Sequence, residues 1–147
     1  MTSADREQRQ VAALPYVRDD EANLRVLLIS SRGTGRWVLP KGWPKAGESG
    51  AEAASREAVE EAGVIGRITT NAIGSYQYDK DLKSGDTLLV KVSVYGLEVE
   101  KFSKQFPEKG KRVLRWCAPS EAADFVAEPA LSRLLRGFTD AHSPSDC

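Results

Sequence analysis

Between Ser49 and Gly63 the chain reads SGAEAASREAVEEAG, and few stretches of its length leave a fold less choice. Ser49, followed three residues later by Glu52, has the form of a capping box, in which each side chain satisfies the other's backbone N–H. Alanine fills the interior with the strongest helix former, and Gly63 supplies a residue that can turn left-handed and end the helix. The spacing therefore predicts a helix over 49–63 with two unlike faces. Ala51, Ala54, Ala58 and Ala62 form a stripe of small side chains suited to close packing on a sheet. Glu57, Glu60 and Glu61 stand at i, i+3 and i+4, which gathers three carboxylates within an arc of about 100° beside that stripe.

Strand signals surround this helix. VAALPYV (11–17) and LRVLLIS (24–30) read as strands joined by a turn through Asp19-Asp20-Glu21-Ala22-Asn23, and Pro15 argues that the first lies near a sheet edge. Trp37-Val38-Leu39 is a short apolar run closed by Pro40. Residues 65–70 and 72–78 carry strand-type side chains. In 88–97, Val90, Val92 and Val94 alternate with Lys91, Ser93 and Tyr95, the period of a half-buried strand. VLRWC (113–117) is a further strand, followed by helices over 119–126 and 129–138, each opening with proline at a permitted first-turn position. The mixture indicates a mixed or mostly antiparallel sheet flanked by helices, in the α/β (α+β) class.

Composition excludes several chemistries. With 147 residues, of which 41% are hydrophobic, the chain suits one domain. Lys+Arg and Asp+Glu are both 21, so no overall field draws it to nucleic acid or an anionic membrane. No apolar run is long enough to cross a bilayer, and the first ten residues are polar where a signal peptide would be apolar, so a cytoplasmic location is expected. The only histidine, His142, lies in a Ser/Pro/Asp-containing tail, which argues against a catalytic triad or a Cys-His pair. Cys117 and Cys147 make no disulfide framework, and Cys117 reads as a buried structural thiol.

Like charges at the spacing of Glu57, Glu60 and Glu61 repel by roughly 0.2–0.5 kcal/mol per pair on a free helix. Two accounts can offset that. Arg56 can pair with Glu52 and Glu60 at i±4 and leave an ordinary solvated face, or the carboxylates can hold a divalent cation as hard oxygen ligands. The stretch just upstream, KGWPKAGES (41–49), keeps the glycine and serine spacing of a phosphate-binding P-loop but has Glu48 where the essential lysine would be. Taken together, Gly42, Glu48, Arg56, Glu57, Glu60, Glu61 and Gly63 spell G-x5-E-x7-R-E-x-x-E-E-x-G, followed by apolar Val64. This resembles the signature of the Nudix hydrolases, which cleave a nucleoside diphosphate linked to another group, X. Ala58 departs from it, since a larger aliphatic residue is usual there.

The resemblance implies a single domain over 1–147, an α/β/α sandwich with a mixed sheet between helices, with 1–9 and 140–147 as flexible tails. It implies that Glu57, Glu60 and Glu61 are the catalytic acids and bind Mg²⁺, for which Mn²⁺ can substitute, with the carbonyl of Lys41 a further candidate ligand. Bound cations would neutralise and orient a polyphosphate and make water acidic enough to attack phosphorus. The general base stays open among Glu57, Glu61 and the downstream Glu98, Glu100 and Glu108. Gly42, Glu48, Arg56 and Gly63 would support the site, with a Glu48–Arg56 salt bridge holding loop against helix. Arg32, Arg36, Lys41 and Lys45 would contact phosphate, or else be solvated loop charges. Trp37 and Trp43 could stack on a base, although Trp37 equally suits a core.

SSRGTGRWVLPKGWPKAGES and VLRWCAPSEAADFV look most like the branch containing diphosphoinositol polyphosphate phosphohydrolases and dinucleoside polyphosphate hydrolases. The expected reaction is Mg²⁺-dependent hydrolysis of a phosphoanhydride in a polyphosphorylated small molecule, and neither nucleic acid nor membrane is expected as a partner. The alternatives are a Nudix-fold module that binds a nucleotide without catalysis, or an RNA 5′-pyrophosphohydrolase, which would want a wider basic surface. Oligomeric state is not indicated.

Overall fold

A computed structural model describes residues 8–138. In chain order its elements are β1 (Arg9–Arg18), β2 (Leu24–Ser30), β3 (Trp37–Val38), β4 (Lys41–Gly42), α1 (Gly50–Ala62), β5 (Val64–Ile68), β6 (Gly74–Asp81), β7 (Thr87–Phe102), β8 (Leu114–Cys117), α2 (Pro119–Phe125) and α3 (Pro129–Arg136). The strands form one mixed sheet in the order β3-β2-β1-β7-β5, with β4 beside β1, β6 beside β7 and β8 beside β2. β1 and β7 run parallel, Arg9 to Tyr16 alongside Lys91 to Glu98, while the remaining pairings are antiparallel. β7 is long because it serves three partners: its first part pairs with β6, its last part with β5, and its middle with β1.

Because side chains alternate across a strand, β1 and β2 feed two cores at once. Val11, Ala13, Leu27, Ile29 and Leu97 face α1 and pack with Ala53, Ala54, Ala58 and Ala62. Ala12, Leu14, Val26, Leu28 and Val90, Val92 and Val94 face the other way, against Ala122, Leu131 and Leu135 of α2 and α3. Both faces being covered is why these strands read as nearly unbroken apolar runs. The expected α/β/α sandwich is what forms.

Several local expectations change. Pro15 lies in a central strand, not at an edge. It is accommodated because β1 pairs with β4 at Val11 and Ala12 and with β2 only from Tyr16 onward, so the missing N–H falls where one neighbour gives way to the other. Lys41–Gly42, read from the sequence as part of a loop, is a short strand. Arg9, assigned to a tail, opens β1 opposite Lys91. Ala53 takes the place of Ala51 in the buried stripe of α1. The 19–23 turn forms as expected, with the Asp19 carboxylate accepting from the amides of Glu21 and Asn23. Cys117 is buried and free, burial raising its thiol pKa. His142, Cys147 and the tail residues 1–7 and 140–147 lie outside the described residues. No described helix is long and apolar enough to cross a membrane.

Candidate active site

The capping box that sets the start of α1 is complete: Glu52 N donates to Ser49 Oγ at 3.1 Å, and Ser49 N donates to Glu52 Oε1 at 2.8 Å. Gly63 ends the helix at φ 68°, its N–H reaching the carbonyls of Ala58 and Val59. Gly42 sits so close to the helix that a Cβ there would collide with the carboxylate of Glu57. The absence of a side chain at that position is what lets β4 lie against the acidic face.

Arg56 ties this face to the loop before it. Its Nε and Nη2 donate to the two oxygens of Glu48 at 2.7 and 2.9 Å, and Nη2 also reaches the carbonyl of Trp43 at 3.2 Å. Its Nη1 donates to Glu57 Oε2 at 2.9 Å and Glu60 Oε2 at 3.2 Å. The expected Glu48–Arg56 bridge is thus bidentate, whereas Glu52 is taken up in capping and does not meet Arg56. These bonds hold the Glu48 carboxyl down at about 2 and raise the pKa of the guanidinium.

Glu57 is buried, and Glu61, one turn on, is largely enclosed beside it. Burial first, and the neighbouring Glu57 carboxyl second, push Glu61 up to about 8, against the pull of Arg112 and of the Lys41 amide. Lys41 N donates to Glu61 Oε1 at 3.1 Å, and Arg112 Nη2 stands 3.9 Å from Glu61 Oε2. Arg112 also donates to Glu108 Oε1 at 3.1 Å and to the Ser30 carbonyl at 3.1 Å. Glu108 in turn pairs with Arg32 at 3.4 Å, and its own amide donates to the Glu60 carbonyl at 2.9 Å. The segment between β7 and β8 is thereby docked on the last turns of α1. Sequence reasoning did not single out Arg112. Its only signal there was one more cation in the run EKGKR (108–112), with nothing to show that it would meet Glu61. Of the other open candidates for the base, Glu98 pairs with Arg67 at 3.7 Å and Glu100 is exposed.

Arg112 also borders a cleft of about 400 Å³, whose walls include Arg32, Arg36, Lys41, Lys80, Trp37, Tyr78 and Glu128. The Lys41 ammonium lies 4.9 Å from the centre of the Tyr78 ring; burial lowers its pKa while Glu61 and Glu128 oppose that. Three of the four predicted phosphate contacts, Arg32, Arg36 and Lys41, come together here. Lys45 does not: it is exposed outside the cleft, its amide donating to Glu48 Oε1 at 2.8 Å. Trp37 lines the cleft with the Arg115 guanidinium 5.3 Å from its ring, while Trp43 stands apart and is 40% exposed.

Among the described residues no three acidic, histidine or cysteine side chains converge on one point, and Arg56 Nη1 is shared by Glu57 and Glu60. Glu57 and Glu61 nonetheless fit a hard divalent ion. Mg²⁺ typically takes one or two carboxylates from the protein and fills its octahedron with water and substrate phosphate. Two enclosed carboxylates side by side repel one another when both are ionised, and a cation would relieve that repulsion.

A mixed sheet between helices, with a Glu-rich helix tied to a glycine-containing loop and linked through Arg112 to a cleft rich in cations, defines a class of phosphoanhydride hydrolases. The NUDIX domain family matches residues 7–138, and the chain belongs to it. Among Arabidopsis thaliana proteins, it is similar to Nudix hydrolase 13, mitochondrial, with 34% identity over 87% of this chain and 68% of that protein. Nudix hydrolase 16, mitochondrial, is 33% identical over 81% of this chain and 68% of its own length. Among solved structures, a C. elegans Ap4A hydrolase binary complex shares the fold with a TM-score of 0.62 at 23% identity, covering 87% of this chain and 92% of that one.

Proposed function

We propose that the protein hydrolyses a phosphoanhydride bond in a polyphosphorylated small molecule, of the dinucleoside polyphosphate or diphosphoinositol polyphosphate kind, with Mg²⁺ or Mn²⁺ bound at Glu57 and Glu61. The observation that carries this is the link through Arg112, which touches Glu61 on one side and lines the cationic cleft on the other. A divalent ion at the two carboxylates would supply charge neutralisation and an acidified water. The chain's own residues do the rest. Arg32, Arg36 and Arg112 set guanidinium groups against phosphate oxygens, which they can grip in pairs. Lys41 holds Glu61 in place through its backbone amide. Arg56 fixes the loop and helix relative to each other, so the carboxylates do not reorganise during the reaction. As the water oxygen bonds to phosphorus and the bridging P–O bond breaks, the water's proton passes to a carboxylate of the Glu57–Glu61 pair. Similarity in fold to an Ap4A hydrolase supports the dinucleoside substrate class.

The test is turnover of diadenosine polyphosphates, diphosphoinositol phosphates, nucleoside triphosphates, ADP-ribose and 5′-triphosphate RNA, with Mg²⁺ and with EDTA. Hydrolysis is expected only with the cation, and Glu61→Gln should lower it by about two orders of magnitude or more at unchanged thermal midpoint. Turnover that persists in Glu61→Gln overturns the role given to Glu61. A protein that binds these compounds and cleaves none of them is a binding module.

A further inference from the structure

Glu128 has no part in the chemistry above. It occupies the N-cap position of α3, where a polar side chain commonly closes the first turn, yet its carboxylate makes no capping bond. It borders the cleft instead, with Oε1 shut off from water and without a hydrogen-bond partner among the described residues. A buried carboxylate oxygen left without a donor is costly. None of the cations that line the cleft, Arg32, Arg36, Lys41, Lys80 and Arg112, donates to it.

The cleft has two unlike ends. Arg32 and Arg36 come from the loop between β2 and β3, and Arg112 from the segment leading into β8, all on one side of β1. Tyr78, two aspartates, Asp79 and Asp81, and Lys80 between them come from β6, on the other side of β1 beyond β7. Glu128 belongs with this second group, because its charge acts on Tyr76 and Tyr78 and the helix it opens packs on β6, where Leu134 fills the space over Gly74. At the same end, Gln10 accepts the Tyr78 hydroxyl at 2.7 Å through its side-chain oxygen, leaving its amide N–H groups as donors. Phosphate is favoured at the arginine end and disfavoured at the other, where Glu128, Asp79 and Asp81 outnumber Lys80 and Lys41.

We infer that Glu128 is a specificity-determining residue, accepting a hydrogen bond from an uncharged, donor-bearing part of the substrate, the base or sugar of a nucleoside, and repelling a phosphate placed there. This rests on the hydrolase reading of the same cleft. A linear polyphosphate ending in a nucleoside matches both ends. A ring phosphorylated on all sides sets a phosphate against Glu128.

Equilibrium binding in EDTA tests this for adenosine 5′-tetraphosphate, inorganic tetraphosphate and inositol hexakisphosphate, with wild type, Glu128→Gln and Glu128→Ala. Wild type should prefer the nucleoside compound over inorganic tetraphosphate by about tenfold or more. Glu128→Ala should remove most of that ratio while tightening both phosphate-only ligands, and Glu128→Gln, which keeps an acceptor oxygen, should retain part of it. A purely structural role would move all affinities together. Ratios equal in wild type and the variants overturn the assignment, and if the alanine variant fails to fold, the isosteric Gln variant decides. Turnover of the same wild-type protein with Mg²⁺ is scored separately: a shifted ratio without turnover counts against the hydrolase reading alone.

Discussion

Arg56 and Arg112 divide the three clustered acids of α1, Glu57, Glu60 and Glu61, between them. Arg56 takes Glu57 and Glu60 together with Glu48, and Arg112 takes Glu61 together with Glu108. A lysine in place of Arg56 has no planar fork to satisfy both oxygens of Glu48 while reaching the helix. The Glu48 bridge also fixes an acid dependence. Its carboxyl is held at about 2 in the folded protein against the ordinary glutamate value of 4.5, so the folded state binds fewer protons than the unfolded chain between those values. The stabilisation is therefore present above about pH 4.5 and is lost as pH falls toward 2. Thermal midpoints of wild type and Glu48→Gln should differ at pH 7 and converge as the pH approaches 2, and a constant gap would remove the ion pair from the account. This bridge was legible in the sequence because both partners belong to one compact motif. Arg112 was not, because its partner Glu61 is remote in sequence and only the return of β7 and the segment after it brings the two together.

At the scale of elements, α1 is the part most dictated locally. Its cap, its small-residue face and its glycine stop all lie within fifteen residues of sequence, and the helix begins and ends where they require. Ser49→Ala leaves the Glu52 amide without its acceptor and should cost about 1 kcal/mol, lowering the thermal midpoint by about 2–4 °C. Scanning calorimetry measures this, and no shift would mean the box is dispensable. The alternation of Val90, Val92 and Val94 likewise marked the buried side of β7. What period and propensity could not give was partner choice. Pro15 suggested an edge because a chain alone does not reveal that β4 and β2 share one flank of β1. Lys41–Gly42 is too short to carry a strand signal of its own.

On the scale of the molecule, the two cores are separate in space but share β1, β2 and β7, so neither can melt while the other stays ordered. Leu14 on one face and Leu97 on the other are both fully buried. Leu14→Ala and Leu97→Ala should each cost about 2–5 kcal/mol, with tryptophan fluorescence and far-ultraviolet circular dichroism still reporting one coincident transition. Two resolved transitions would show that the layers are independent.

The parallel alliance of β1 with β7 also shapes how the chain is born. Arg9 waits for Lys91, so roughly eighty further residues must leave the ribosome before the first strand acquires that neighbour. Until then, one flank of an apolar ribbon is bare, and the nascent polypeptide is at its most vulnerable to sticking to other chains. Translation of the second half of the message therefore closes a seam left open by the first.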